Sequence, residues 1–143
     1  MNGGGDLRRA TPEDAETCAR IVHGWVTSTD WMPERFSVSD LTAMIAEAIP
    51  EREVWIAGEP AEGYLSLNPE TAQVVALYTS RPGAGLGKTL MDQAKTGRDY
   101  LQLWTHAPNS AAHRFYRREG FVDVERNERG DDGLAELRME WRR

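Results

Sequence analysis

The sequence has very little cysteine, because Cys18 is the single one in 143 residues. A lone cysteine cannot form a disulfide within the chain, so stabilisation by disulfides is excluded and a reducing compartment is indicated. Cys18 also falls on a helical pattern of apolar residues, which favours a packing role over a reactive thiol. We therefore expect a cytoplasmic protein.

Long hydrophobic runs are missing as well. No apolar segment approaches the ~20 residues needed to cross a bilayer. The opening residues, Met1 to Asp6, lack the basic region followed by an apolar region that a secretory signal requires. The sequence thus predicts a protein that is neither secreted nor membrane-spanning, with no membrane partner.

Basic residues are outnumbered, with 17 Lys and Arg against 23 Asp and Glu and a formal charge of −6. This balance disfavours nucleic acid as a partner and mildly favours cationic acceptors. Histidine is scarce too, and His23 and His113 lie on predicted helices without cysteine or acidic ligands at metal spacing, so no metal site is expected. The remaining composition is that of an ordinary globular protein, and the length predicts one domain over residues 1–143.

The first third of the chain is predicted to be mainly helical. A short strand at Leu7 to Ala10 precedes a helix that runs to about Thr27. A second helix begins at Ser37 or Ser39 and ends at Pro50. Its apolar stripe predicts that the second helix buries Leu41, Met44, Ile45, Ala48 and Ile49.

From Glu53 the apolar period changes to two, which predicts strands. Three short strands, ending at Thr79, form an antiparallel meander. A helix over 85–95, a strand over 100–106, a helix over 109–119 and a closing pair of strands follow. The sequence therefore predicts an α/β (α+β) fold, with a mixed, largely antiparallel sheet of about seven strands flanked by about four helices.

The stretch RPGAGLGKTL, from Arg81 to Leu90, places three glycines at every second position before a lysine and a threonine. Glycine lets backbone N–H groups approach an anion, and the following helix adds the positive end of its dipole, so the stretch is suited to phosphate binding. The nucleoside-triphosphate loop requires glycine where Pro82 stands, and G-x-G-x-G does not meet the dinucleotide fingerprint G-x-G-x-x-G. The stretch therefore matches neither nucleotide-binding motif.

A second motif follows the fifth predicted strand, in NSAAHRFYRREGF from Asn109 to Phe121. Together with the glycine loop and the element order, it resembles the GNAT superfamily of N-acetyltransferases over nearly the whole chain. That family's loop has the form Q/R-x-x-G-x-G/A, and its later segment often reads N-x-x-A-x-x-F-Y-x-x-x-G-F. The later segment matches at Asn109, Ala112, Phe115, Tyr116, Gly120 and Phe121. In the loop, Pro82 takes the Q/R position and Arg81 is displaced by one.

The resemblance implies that the loop binds the pyrophosphate of acetyl-CoA through backbone amides and the helix end, with Arg81 as a substitute for the missing polar side chain. It also implies that the end of the fourth strand runs beside the pantetheine arm. Asn109 has two roles open to it, a helix cap and a cofactor contact. The residues implied in cofactor binding are Leu77, Tyr78, Thr79, Arg81, Gly83, Ala84, Gly85, Leu86, Gly87, Lys88 and Asn109. Phe115 is interpreted as a core residue.

Acyl transfer from a thioester to an amine needs a neutral nucleophile, a polarised carbonyl and a proton for the departing thiolate. Tyr116 occupies the position of the tyrosine that protonates the thiolate in many family members, and it is the catalytic candidate. A phenol with a pKa near 10 is still protonated at neutral pH. The alternative for Tyr116 is an anchored core tyrosine. A backbone N–H near Tyr78 or Thr79 is expected to polarise the carbonyl.

The general base is left open by the sequence. Similar enzymes sometimes place a glutamate where Gln73 stands, on a strand face that Gln73 is predicted to share with Leu77 and Thr79, but glutamine can only position water. Glu34, Glu70 and His106 remain as candidates, although the sequence favours an ordinary surface residue for each of them. An acceptor amine that is neutral in solution needs no base.

Trp31 lies in the polar connection between the first two helices, which often forms one wall of the acceptor pocket in the superfamily. With Glu34 nearby, an aromatic wall suits a cationic amine. Packing in the core or in a lid is the alternative for Trp31. The residues assigned to the acceptor are Trp31, Glu34 and Gln73.

The sequence thus predicts an N-acetyltransferase that moves acetyl from acetyl-CoA directly to a primary amine of a small molecule or a protein. Two rivals are a non-catalytic acyl-CoA-binding sensor or partner domain, and a nucleotide-binding protein that uses Lys88 and Thr89. Edge strands and tryptophan surface are compatible with a homodimer.

Overall fold

A computed structural model describes residues 7–81 and 84–143. Their order of elements is the predicted one, with boundaries that agree to within a residue or two. The elements are β1 (Leu7–Arg9), a 3-10 turn (Pro12–Asp14), α1 (Ala15–Thr27), α2 (Val38–Ala48), a second 3-10 turn (Ile49–Glu51), β2 (Glu53–Ala57), β3 (Gly63–Asn68), β4 (Gln73–Thr79), α3 (Leu86–Lys95), β5 (Tyr100–His106), α4 (Ser110–Arg118), β6 (Val122–Asn127) and β7 (Glu136–Arg142). None of the helices in these ranges is long and apolar enough to cross a membrane.

The described strands form one seven-stranded sheet in the order β1-β2-β3-β4-β5-β7-β6. Every neighbouring pair is antiparallel except β4 and β5, which run parallel. The parallel pair needs a crossover, and α3 supplies it between the two strands. The predicted mixed, largely antiparallel sheet is therefore confirmed.

The sheet opens between β4 and β5. Only Gln73 with Gln102 and Val74 with Leu103 are paired across these two strands, although both strands continue for several residues. A β-bulge in the pairing of β3 with β4 lies next to the point where the opening begins, because Leu67 pairs with Val74 whereas Ser66 pairs with Ala76. A bulge bends its strand and increases the local twist, which turns the end of β4 away from β5.

The bulge also overturns the predicted face of Gln73. Val74 and Leu77 both pack in the core on the α3 side of the sheet, whereas Ala76 and Tyr78 pack on the α1 side. Strict alternation would put Val74 and Leu77 on opposite faces, and the extra residue at the bulge removes that conflict. Gln73 therefore faces away from Leu77, and the prediction that they share a face was wrong.

Two apolar cores cover the two faces of the sheet. On one face α3 packs with Leu90 and Met91 fully buried, and Phe115 and Tyr116 of α4 lie against the edge of this core. On the other face α1 packs through Ala15, Cys18 and Val22, as its stripe predicts. The buried Cys18 confirms the expected packing role.

Helix α2 differs from its prediction. Its cap is as expected, since Ser37 accepts a hydrogen bond from the Asp40 amide and Asp40 accepts one from the Ser37 amide. Its apolar stripe is only partly buried, however: of the five residues predicted to be buried only Ile49 is fully buried, and Met44 is 49% exposed. The apolar period of the sequence therefore predicted correctly which face of α2 points towards the sheet. It did not predict how far the side chains of that face are buried.

Candidate functional site

The glycine stretch leads into the N-terminus of α3, between β4 and the helix, as predicted. Gly85 is the N-cap and has φ of 81°, a left-handed conformation that glycine adopts without strain. Its carbonyl accepts hydrogen bonds from the Thr89 amide and hydroxyl, both at 3.1 Å. The amides of Leu86, Gly87 and Lys88, in the first turn of the helix, are the donors that a helix start offers to an anion.

Gly87 lies where α3 approaches α4. A Cβ atom at this position would stand 3.3 Å from Cζ of Phe115, which is tighter than usual contact. The absent side chain at Gly87 thus lets the two helices start close together. Ala84 is exposed beside this helix start, and Gly83 lies outside the described residues.

The cations near the helix start are already paired. Arg81 holds Glu62 through two hydrogen bonds of 2.6 and 3.0 Å. Lys88 lies 3.4 Å from Asp92 and 3.6 Å from Glu119. Both basic side chains are largely exposed, so these are surface ion pairs that a competing anion can exchange.

Tyr116 lies on α4 with its ring between aromatic neighbours, 5.4 Å from Phe115 and 5.8 Å from Phe121 between centroids. Its hydroxyl makes no hydrogen bond to any of the described residues. Burial, with a smaller contribution from Tyr78, raises the pKa of Tyr116 well above its ordinary value. The hydroxyl therefore stays protonated at neutral pH.

The start of α4 is tied to the end of β5. Asn109 caps the helix, since its side-chain oxygen accepts a hydrogen bond of 3.2 Å from the Ala112 amide. The Asn109 amide and the ring of His113 both donate to the carbonyl of His106, at 3.0 Å each. The predicted capping role of Asn109 is present, and His113 is buried as a structural residue.

Four aromatic side chains meet on the α1 side of the opening, and we call Trp25, Trp31, Tyr78 and His106 the aromatic cluster. The ring of Trp25 lies 5.7 Å from Trp31 and 5.4 Å from Tyr78, and the ring of His106 lies 5.4 Å from Trp31. Trp31 reaches this position from the connection between α1 and α2. The end of β4, the end of β5 and that connection therefore form one surface.

A carboxylate that the sequence did not single out completes this surface. His106 Nε2 lies 2.6 Å from Oδ2 of Asp132, and Oδ1 of Asp132 accepts a hydrogen bond of 3.0 Å from the Leu134 amide. Partial burial raises the pKa of Asp132, but the hydrogen bonds from His106 and Leu134 outweigh it and the pKa is lowered. Asp132 is thus ionised at neutral pH, and its hydrogen bond holds the His106 ring through Nε2.

Asp132 was missed in the sequence because the segment from Asn127 to Gly133 has the composition of a polar hairpin connection. Its polarity and its glycines predict a loop and carry no signal of a partner for a distant strand. Asp132 lies just before β7, and only the pairing of β7 with β5 brings it to His106.

The other base candidates lie elsewhere. Glu34 is paired with His23 Nε2 at 2.7 Å and is half exposed. Glu70 is exposed in the turn between β3 and β4. Gln73 is at the opposite end of β4 from Tyr78, beside Gln102. No group of three or more potential metal ligands occurs in the part of the chain that the structure describes.

Comparison with known proteins places this geometry in a family. The family described as "Acetyltransferase (GNAT) domain" matches residues 50–123, which contain the glycine loop, the opening and α4. The peptidyl-lysine N-acetyltransferase YjaB of Salmonella typhimurium is 27% identical over 133 residues, which are 90% of each chain.

Solved structures agree with the fold. The apo form of YjaB from Escherichia coli superposes with a TM-score of 0.77 at 23% identity and covers 95% of this chain and 96% of its own. The acetyltransferase yncA from Salmonella typhimurium, solved with acetyl-CoA, has a TM-score of 0.69 at 19% identity over 95% of this chain and 92% of its own. The resemblance found in the sequence is confirmed: the chain belongs to the GNAT family and is an acetyl-CoA-dependent N-acetyltransferase.

Proposed function

We propose that the acceptor of this acetyltransferase is the side-chain amine of lysine in a peptide or protein. The relative of similar length from Salmonella typhimurium is named for that acceptor. The observation that carries the proposal is the aromatic cluster beside the opening, with the carboxylate of Asp132 at its border. Aromatic faces and carboxylates together suit an ammonium group at the end of an apolar stem.

The residues around the opening fit acetyl-CoA. The end of β4 has a free edge towards β5, where an extended arm with amides can pair like an added strand. We propose that Leu77, Tyr78 and Thr79 supply this edge. The amides of Leu86, Gly87 and Lys88 would receive the pyrophosphate, and Arg81 would have to leave Glu62 to contribute.

We propose that Tyr116 is the acid. When bound, acetyl-CoA supplies an activated acyl group whose transfer to an amine releases a thiolate. The Tyr116 hydroxyl holds a proton that no described neighbour shares, and burial keeps that proton in place at neutral pH. Asn109 keeps the helix that carries Tyr116 anchored at its first turn.

We propose that His106 is the base. A lysine amine is mostly protonated at neutral pH and must lose a proton before it attacks a carbonyl. Nε2 of His106 is held by Asp132, so Nδ1 is the acceptor for that proton, directly or through one water. Trp31 and Glu34 would orient the ammonium group, and Gln73, at the far end of β4, would take no part.

The comparisons do not favour the non-catalytic acyl-CoA-binding alternative or the nucleotide-binding one. The sheet joins β1 and β7 to the strands inside the matched range, which supports one acetyltransferase domain over residues 1–143. The single buried thiol supports a cytoplasmic location.

Acetylation of defined acceptors tests the lysine proposal. Purified protein is given acetyl-CoA and one of three acceptors: a peptide with one lysine and a blocked N-terminus, the same peptide with arginine for lysine and a free N-terminus, or spermidine. Mass spectrometry should show a gain of one acetyl group on the lysine peptide only. Acetylation of spermidine or of the peptide N-terminus at a higher kcat/KM would overturn the lysine assignment, while calorimetric binding of acetyl-CoA confirms that the protein is competent.

A further inference from the structure

A cavity of about 250 Å³ lies between α2 and the sheet, on the face away from α3. Its floor is a row of small side chains in register across three strands, because Val54 pairs with Ser66 and Ser66 pairs with Ala76. Its roof is the apolar stripe of α2, including Leu41 and Ile45. No side chain of α2 is fully buried, although Leu41 and Ile45 pack partly buried against the core of this face, and the cavity lies beneath the helix.

The floor carries a buried hydroxyl with no partner. Ser66 is 4% exposed, and its Oγ makes no hydrogen bond within the described residues. Buried polar groups are almost always paired, and leaving one unpaired is costly, so an orphaned hydroxyl in a cavity indicates that something else binds there. A single water would satisfy Ser66 but would fill only a small part of the volume.

Further polar groups converge on the same space. Tyr64, also 4% exposed, lines the cavity, and its hydroxyl makes no hydrogen bond to the described residues. Arg52 stands at the rim, with no carboxylate within 4.0 Å of its guanidinium in the part of the chain described. A cation and two hydroxyl donors complement an anion, whereas the walls from α2 and β2 complement a hydrocarbon.

We propose that this cavity binds a small monocarboxylate with an apolar body, whose carboxylate meets Arg52, Ser66 and Tyr64. A cavity of about 150 Å³ accepts benzene, so this larger one has room for a body of about ten non-hydrogen atoms. The site is separate from that of acetyl-CoA, since α3 starts on the opposite face of the sheet. It shares Tyr78 with the aromatic cluster, because that side chain also lines the cavity, 6.0 Å from the ring of Tyr64.

Binding is measured by two-dimensional NMR of the methyl groups with hexanoate and benzoate as probes, and with hexanol and hexylamine as matched ligands. Hexanoate should bind saturably at least tenfold more tightly than hexanol or hexylamine and should shift the methyl signals of Leu41 and Ile45. Arg52→Met should remove the preference for the carboxylate, and Ser66→Ala should weaken hexanoate several-fold. Acetyl-CoA binding should be unchanged in both variants.

A filled cavity is the control. Ala48→Phe projects into the space and should abolish hexanoate binding, whereas Ala43→Phe, on the outer side of the same helix, should leave it intact. The proposal is overturned if no probe saturates at millimolar concentration, if hexanol binds as well as hexanoate, or if the lysine peptide displaces hexanoate. Should Ala48→Phe fail to fold, the comparison of Ser66→Ala with the parent protein still decides the matter.

Discussion

Replacing Tyr116 by phenylalanine removes one oxygen atom. We expect it to lower the catalytic rate strongly and to leave the free energy of unfolding almost unchanged. The ring keeps its contacts with Phe115 and Phe121, and the hydroxyl leaves no described partner behind. A lost hydrogen bond would cost about 1 kcal/mol; since none is lost among the described residues, the free energy of unfolding should change by less than about 0.5 kcal/mol.

The effect on the rate should be large. Loss of a general acid typically lowers kcat by about 10²–10⁴-fold, which raises the activation barrier by roughly 3–5 kcal/mol. Because burial raises the pKa of Tyr116, the hydroxyl stays protonated above the ordinary tyrosine pKa. The advantage of the parent protein over Tyr116→Phe should therefore persist as the pH rises towards about 10.

Three measurements on the same preparations test this. Steady-state release of coenzyme A with the lysine peptide gives kcat, calorimetry gives the affinity for acetyl-CoA, and urea unfolding gives the stability. The matched control is Tyr100→Phe. Tyr100 lies at the start of β5, and its hydroxyl donates a hydrogen bond of 2.8 Å to Glu140. Tyr100→Phe should lose about 0.5–1.5 kcal/mol of stability and keep its kcat. The reasoning is refuted if Tyr116→Phe retains the parent kcat, or if it loses stability like the control.

Three further outcomes are expected. His106→Gln should lower kcat/KM for the lysine peptide by about 10²-fold, because an amide cannot accept a proton; an unchanged kcat/KM would reject His106 as base. Cys18 is fully buried and its pKa is raised to about 12 by burial, so a thiol reagent should react with it only after unfolding, and rapid labelling of the native protein would contradict its packing role. The hydrogen bond from Arg8 lowers the pKa of Asp14, despite its partial burial, so Asp14 stabilises the fold fully above the unfolded-state pKa of about 4. That stability is lost as the pH falls through the lower folded-state pKa, and urea unfolding of Asp14→Asn should show a deficit at pH 7 that shrinks at pH 3.

Much of the architecture follows from local features of the sequence. The cap at Ser37, the left-handed glycine at Gly85 and the cap at Asn109 fix where three helices start, and each acts within four residues of its own position. The change of apolar period at Glu53 fixes the strands for the same reason. The family resemblance rests on two such local motifs, and the match over residues 50–123 confirms it.

The candidate site depended more on contacts between distant segments. Asp132 lies 26 residues from His106 and meets it only because β7 pairs with β5. The face of Gln73 was mispredicted because one extra residue at the bulge shifts the alternation, and a period-two pattern cannot show an insertion that the partner strand defines.

The sequence by itself determined which segments are helices and strands, where they start, and to which family the chain belongs. Only the tertiary structure decided how deeply α2 lies, which carboxylate serves His106, and that Ser66 is buried without a partner. The physical reason is range: propensity and capping act along a few residues of one segment, whereas burial, ion pairing and cavities depend on the packing of segments that the chain brings together last.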